Sequence, residues 1–295
     1  MSAENYAELA QKMRAEFKKN DDERDAGLPT EVAGVKRFDN IVYGEDKKFN
    51  LLDVYLPEDH SDFTPVIVNV HGGGWVYGTK ETYQFYCLFL AQHGFAVVNA
   101  NYRLAPSVVF PQELNDINRV FHWLEVNASK YYLDLNNVFV VGDSAGGQMG
   151  EQILAAYTNA NYRKYFGYTV PNLKIKAAAL NCGAYFVLDP GVIVGGVQAY
   201  FSPQIVIDKY DQLNVEKYIT PDFPPVFLMT TTNDFLRNNA YLLSGYLRAN
   251  NIIHEIHMYG DESNPRGHDF HINQKDSLAE KCNLDELEFF RRYID

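Results

Sequence analysis

The chain has 295 residues, 46% of them hydrophobic, with 26 Lys and Arg against 38 Asp and Glu and a formal net charge of −12. That composition belongs to a globular chain long enough to bury a full core, and it excludes disorder, collagen and coiled coil. The acidic balance argues against nucleic acid, which is bound by displacing counterions with a basic surface, and against an anionic membrane.

In chain order, Tyr6, Leu9, Ala10, Met13 and Phe17 recur at helical spacing. The polar run KKNDDERDAGLP is expected to end that helix. Acids inside the first ten residues and the lack of an apolar core segment speak against a signal peptide. Two β-rich segments, 38–44 and 49–57, are joined by the turn-like EDKK, too short for a crossover, so they predict an antiparallel edge. After Pro65, apolar strands alternate with long helical stretches: PVIVNVH, GFAVVNANY, NNVFVVG, LKIKAAALN, PPVFLMTT and IIHEIHMY. This pattern predicts one α/β domain with a mostly parallel sheet and helices on both faces. The uncharged stretch from Thr82 to Tyr102 reads as a helix, a turn and a strand, not as a membrane span. Between Cys182 and Pro224 the alternation lapses into a Gly-, Pro- and aromatic-rich insertion, expected to hold short helices. Cys87, Cys182 and Cys282 are odd in number and lack metal spacing, as expected of reduced thiols in a cytoplasmic protein.

The strongest chemical signal is Gly142-Asp143-Ser144-Ala145-Gly146, a G-x-S-x-G that follows one strand and opens a helix. That context is the nucleophile elbow, in which tight glycine flanks force the serine into an exposed, strained turn. A dinucleotide fingerprint would need G-x-G-x-x-G and a phosphate loop a lysine, and neither is present. His71-Gly72-Gly73-Gly74-Trp75 closes an earlier buried strand and leaves backbone N–H groups free to meet a substrate oxygen. His71 itself is expected to orient this loop by hydrogen bonds. Elbow hydrolases carry their triad in the order serine, acid, histidine. Asp234, just after PPVFLMTT, fits the acid; Asp208, Asp211 and Asp222 read as solvated loop carboxylates and Asp189 as a turn residue. His268 fits the base in the loop after the last strand, with His271 the runner-up because it reads as the start of the last helix. The rate is then expected to rise as His268 loses its proton, at about pH 6–7. His254 and His257 point to opposite faces of one strand and cannot share a metal; His60, His93 and His122 read as surface or structural residues. No metal and no cofactor are expected.

Together HGGGW (71–75), YRLAP (102–106), GDSAGG (142–147), the Asp234 segment and Gly267-His268 resemble the hormone-sensitive-lipase-like group of α/β-hydrolase carboxylesterases, over about residues 39–293. The resemblance implies an α/β-hydrolase fold with a small helical cap, and 1–36 and about 183–219 occupy the places of the cap segments. It implies an oxyanion hole of Gly73, Gly74 and Ala145 and cleavage of small acyl esters through an acyl-enzyme. Carbohydrate deacetylase, hydroxycinnamate esterase and, on the same fold, a non-catalytic small-molecule receptor are the alternatives, and a homo-oligomer stays open. The family often carries His-Gly-Phe around its base, whereas this chain has His268-Asp269-Phe270.

Overall fold

A computed structural model describes residues 3–59 and 62–295; His60 lies outside the described residues. Eight strands form one sheet: β1 (Val35–Val42), β2 (Leu51–Pro57), β3 (Thr64–Val70), β4 (Ala96–Ala100), β5 (Leu133–Asp143), β6 (Ile175–Asn181), β7 (Val226–Thr231) and β8 (His254–Tyr259). Their spatial order is β1-β2-β4-β3-β5-β6-β7-β8. β1 pairs with β2 and β2 with β4 antiparallel, and the other pairs are parallel, as the brief first connection and the later long crossovers require.

Solid apolar strands need cover on both faces, and successive residues divide accordingly. Ile67, Val97, Phe139, Val141, Phe227 and Met229 pack under α2 (Lys80–Gln92) and α9 (Ser277–Arg291), where Phe289 and Phe290 are fully buried. Their sequence neighbours Val66, Val68, Val98, Val140 and Leu228 face the opposite core with α3 (Gln112–Asn127), α4 (Ala145–Thr158) and α8 (Arg237–Ala249). A short α5 (Ala160–Arg163) follows α4, and α6 (Pro203–Asp208), α7 (Tyr210–Leu213) and three-residue-per-turn segments at 195–199 and 216–218 make up the insertion, as its composition predicts.

The first helix, α1 (Ala3–Asp25), ends inside the polar run Lys18–Pro29, as the sequence predicts, after taking in the first two turns of it. Lys18 meets Asp22 at 2.7 Å and Lys19 meets Glu23 at 3.9 Å, both four residues apart, and Arg24 grips Asp21 at 2.7 Å. Such pairs each add a few tenths of a kcal/mol to an exposed helix, and the chain breaks only at Gly27, in the left-handed region, and Pro29. One expectation about local structure is corrected: His271 does not begin the last helix but sits in a single tight turn, Phe270–Ile272, and α9 starts at Ser277.

The strand order reverses between β3 and β5, because the chain builds outward from this pair in both directions. Val70 at the end of β3 lies opposite Gly142 in β5, so the HGGGW loop and the serine elbow leave the sheet side by side. In open α/β sheets that switch point is the crevice where ligands bind.

Candidate active site

Ser144 has φ 52° and ψ −118°, outside the comfortable regions for a side-chain-bearing residue, and heads α4. Conformations of this kind cost of order 1–3 kcal/mol and persist because the surroundings over-determine them. Here the Ser144 N–H donates to Asn181 O at 2.9 Å and its carbonyl accepts from Ala184 N at 3.0 Å. A Cβ on Gly146 would fall 2.0 Å from Val70 O, so the elbow can form only if that residue is glycine. The Ser144 side chain is thereby presented at the mouth of the crevice.

Asp234 lies just past β7. Its Oδ1 accepts from Leu236 N at 2.8 Å and its Oδ2 from the Thr230 hydroxyl at 2.9 Å. Burial pushes the Asp234 carboxyl up, but His268 and these donors outweigh it and leave the group below the usual carboxylate range. The loop carrying His268 is knitted to the acid's own loop: Asn233 N donates to Arg266 O at 2.9 Å and Thr231 Oγ1 to Gly267 O at 3.1 Å. His268 Nδ1 is then 2.7 Å from Asp234 Oδ1 and Nε2 is 2.9 Å from Ser144 Oγ. Serine, acid and histidine, spread over 124 positions of chain, meet in one hydrogen-bonded row.

The HGGGW loop lies beside this row. Gly73 has φ 116°, and a Cβ there would fall 2.2 Å from Tyr77 O, so the close turn excludes any side chain. Gly73 O accepts from Val76 N and Tyr77 N, which fixes the turn. Among the described residues, no hydrogen bond is donated by the N–H groups of Gly73, Gly74 or Ala145, and the Ala145 N–H stands at the positive end of α4. His71 is wholly buried behind the loop. Its Nδ1 meets Gly72 O at 2.8 Å, its ring stacks on Tyr102 at 4.0 Å, and burial pulls it down to about 4. It therefore orients the loop as a neutral ring, by stacking as much as by its hydrogen bond.

The remaining candidates lie apart from the row. Asp189, Asp208, Asp211 and Asp222 are exposed. His254 meets Ser244 and His257 meets Glu255, while half-buried His93 bonds Phe89 O and His122 lies 3.6 Å from Glu125. His271 is buried against Tyr86 and pulled down to about 4 by burial. The three cysteines are free and buried. Cys182 Sγ, a His268 nitrogen and an Asp269 carboxylate oxygen lie within 4.8 Å of one another. Both His268 nitrogens are already engaged, so this trio offers a metal no free imidazole.

Two groups carry no clear signal in the sequence. Asp143, inside the elbow motif, is buried and accepts from Gly72 N at 3.2 Å and the Tyr83 hydroxyl at 2.5 Å, tying elbow to HGGGW loop. Arg14 of α1 donates to Val76 O and Ala105 O, reaching the same loop from the other side. It lies one turn after Ala10, on the flank of the docked face of α1, and many arginines border an apolar face in this way.

A cavity of about 960 Å³ opens over Ser144 and His268. Met13 and Phe17 of α1, Val192 and Val197 of the insertion, and Tyr77 and Phe235 give it an apolar wall. A methyl placed on Gly74 would lie 3.5 Å from Met13, so α1 hangs directly over the glycine loop. Gly196 of the insertion touches Ala10 and Met13 so closely that a Cβ there would fall 2.4 Å from the Met13 sulfur.

Residues 52–189 match the BD-FAE family. The chain is 30% identical over 211 residues to the alpha/beta-hydrolase-like protein R526 of Acanthamoeba polyphaga mimivirus, covering 68% of this chain and 60% of that one. It is 26% identical over 247 residues to the carboxylesterase NlhH of Mycobacterium tuberculosis, covering 79% of this chain and 76% of the other. Against R526, then, the chain spans about three fifths of its relative's length. Among solved structures, esterase B from Lactobacillus rhamnosis, inhibited by a tributyrin phosphonate, superposes with a TM-score of 0.89 at 24% identity, over 99% of this chain and 96% of that one. This likeness establishes the α/β-hydrolase fold. Among the described residues, no helix is long and apolar enough to cross a membrane.

Proposed function

We propose that the chain is a serine carboxylesterase of the hormone-sensitive-lipase-like group of α/β-hydrolases, acting on small acyl esters. The observation that carries the reading is the row Asp234–His268–Ser144, with contacts of 2.7 and 2.9 Å, opening into a cavity beside three unengaged backbone N–H groups. Ser144 attacks the ester carbonyl while His268 Nε2 takes its proton. The oxyanion is held by the N–H groups of Gly73, Gly74 and Ala145, each such donor contributing about 3–4 kcal/mol to the transition state. Asp234 keeps the remaining proton on Nδ1 and stabilises the imidazolium. His268 then gives its proton to the leaving alcohol, and water, deprotonated by the same nitrogen, cleaves the acyl-serine. These steps need no cofactor.

In the same reading the chain is one α/β-hydrolase domain whose cap is α1 together with residues 183–219. The tight fit of Gly196 on Ala10 and Met13, and the anchoring of Arg14 on the HGGGW loop, support a roof over the acyl pocket. A second substrate class, a hydroxycinnamate or other aromatic ester, is favoured by one feature: Phe17 and Tyr77, which meet edge to face at 5.9 Å, both line the cavity and give an aromatic acyl group rings to pack on. Hydrolysis of p-nitrophenyl acetate, butyrate and octanoate, methyl ferulate and an acetylated xylose by the wild type and Ser144→Ala tests both readings. Ester cleavage that vanishes with Ser144→Ala is the expected result. No cleavage of any of them would leave a non-catalytic receptor.

A further inference from the structure

The position that departs from the family's His-Gly-Phe is the one that touches the base. Asp269 Oδ2 lies 3.0 Å from His268 Nε2, the same nitrogen that faces Ser144 Oγ at 2.9 Å. The residue sits at φ 54° and ψ 29°, a left-handed conformation in which glycine is at ease and Asp or Asn is tolerated at a small cost. Its other oxygen, Oδ1, is buried without a partner. Behind it stands Asp143, whose carboxyl is wholly buried, and whose charged form is disfavoured first by that burial and then by the Asp269 charge.

We propose that Asp269 is a positioning residue that competes with Ser144 for His268 Nε2, keeps the imidazole protonated at neutral pH and sets an alkaline threshold for turnover. The inference rests on the serine-esterase reading. When His268 carries protons on both nitrogens, Nδ1–H donates to Asp234 and Nε2–H to Asp269, and Nε2 has no lone pair for the Ser144 proton. Release of the Nε2 proton to solvent restores that lone pair. In the attack the proton passes from Ser144 Oγ to Nε2, and Asp269 accepts a hydrogen bond from it until it moves to the leaving alcohol. The carboxylate thus stabilises the imidazolium in the resting enzyme and in the reaction alike, so its largest effect is on where activity begins, not on how fast it becomes.

The groups around the ring support this balance. From the elbow come Ser144 and the buried Asp143; from the end of β6 comes Cys182, a thiol that burial pushes up and keeps neutral. From the β7 loop comes Asp234, with the Phe235 ring 4.4 Å from the imidazole. The same loop as His268 contributes Asp269 and the neutral, buried His271. From α1, Asp21 and Arg24 line the cavity, but Arg24 is neutralised by Asp21 at 2.7 Å and Asp25 at 2.6 Å. From α2, the Tyr83 hydroxyl is committed to Asp143. Two carboxylates, Asp234 and Asp269, therefore face one imidazole. Burial opposes charge on His268, yet these two groups outweigh it and raise the ring well above the usual range.

The test is the pH dependence of kcat/KM, read together with the NMR titration of the His268 ring, in the wild type, Asp269→Asn and Asp269→Gly. His268→Gln assigns the His268 signal. Asn and Gly both accept the left-handed backbone, so either variant can report if the other misfolds. The expected result is a downward move of both midpoints by about one pH unit or more, with the alkaline plateau kept within about tenfold. A role limited to loop structure would lower kcat at every pH and leave the midpoints in place, and that result overturns the proposal. The ring titration needs no turnover, so an unmoved midpoint in a protein that still cleaves esters defeats the role of Asp269 alone. Absence of Ser144-dependent cleavage defeats the esterase reading instead.

Discussion

His71 and His268 follow different strands of the same sheet, and both are largely withdrawn from water, yet their protonation is driven in opposite directions. Around His71 the neighbours are Gly72 O, the Tyr102 ring and the Tyr83 ring 5.6 Å away, and burial dominates; the imidazole is pulled down to about 4. Around His268 the burial penalty is again the largest single influence, but Asp269 and Asp234 together exceed it. The difference teaches that burial alone does not decide which histidine can hold a charge. What separates them is a carboxylate on each ring nitrogen of His268, which favours the imidazolium there and is missing at His71.

The largest expected effect lies on the His268 side. Ser144→Ala and His268→Ala should each lower kcat for p-nitrophenyl butyrate by on the order of a million-fold in protein that still folds, because nucleophile and base fail as a unit. A folded Ser144→Ala enzyme with a tenth of wild-type activity would remove the triad from the reaction. On the His71 side, Gly73→Ala should cost about a hundred- to a thousand-fold in kcat, since a Cβ there would fall 2.2 Å from Tyr77 O and displace an oxyanion donor. A change in KM alone would mean that Gly73 binds substrate without stabilising the transition state.

Stability against pH sharpens the comparison further. His71 and His271, both held near 4, stay neutral in the folded protein while the unfolded chain takes up their protons below about 6.5. The unfolded state then binds more protons, so stability should fall between pH 6.5 and 4, by on the order of 3 kcal/mol for each ring. His268 acts with the opposite sign: its raised value means stability present below about pH 6.5 and lost as pH rises through the folded value. Melting curves of the wild type and His271→Gln from pH 4 to 7 check this, and an equally steep acid slope in the variant would exclude His271 as a source. His271→Ala is expected to keep ester cleavage per folded molecule but, by emptying a fully buried site against Tyr86, to lower stability by about 2–3 kcal/mol.

The smallest effect concerns α1. Removing residues 1–20 should leave the sheet folded, since β1 begins only at Val35, and should flatten the preference among acetate, butyrate and octanoate esters severalfold as Met13 and Phe17 leave the cavity wall. An unchanged acyl profile in the folded truncation would make α1 a remote support and not a roof.

Much of this site is legible in the amino-acid sequence, because its signals are local. The G-x-S-x-G turn is dictated by sterics within five residues, the strands by apolar runs, and the order of acid and base by the strands that precede them. Asp234 and His268 are reachable in that way, the one just past the end of β7 and the other in the loop that follows β8. What only the tertiary structure decides depends on contacts between distant segments: the register that sets β3 beside β5, the Arg14 bonds to Val76 O and Ala105 O, and the docking of Gly196 on α1. Where inside the polar run α1 ends is likewise a tertiary matter: ion pairs one turn apart and the contact of Arg24 with Thr82 O hold it helical to Asp25. Asp269 belongs to both levels. Sequence marks it as an acid in a glycine's place, but the electrostatic coupling of its carboxylate to His268 acts only when the loop after β8 folds back over β5, since a charge exerts its effect through distance in space and not along the chain.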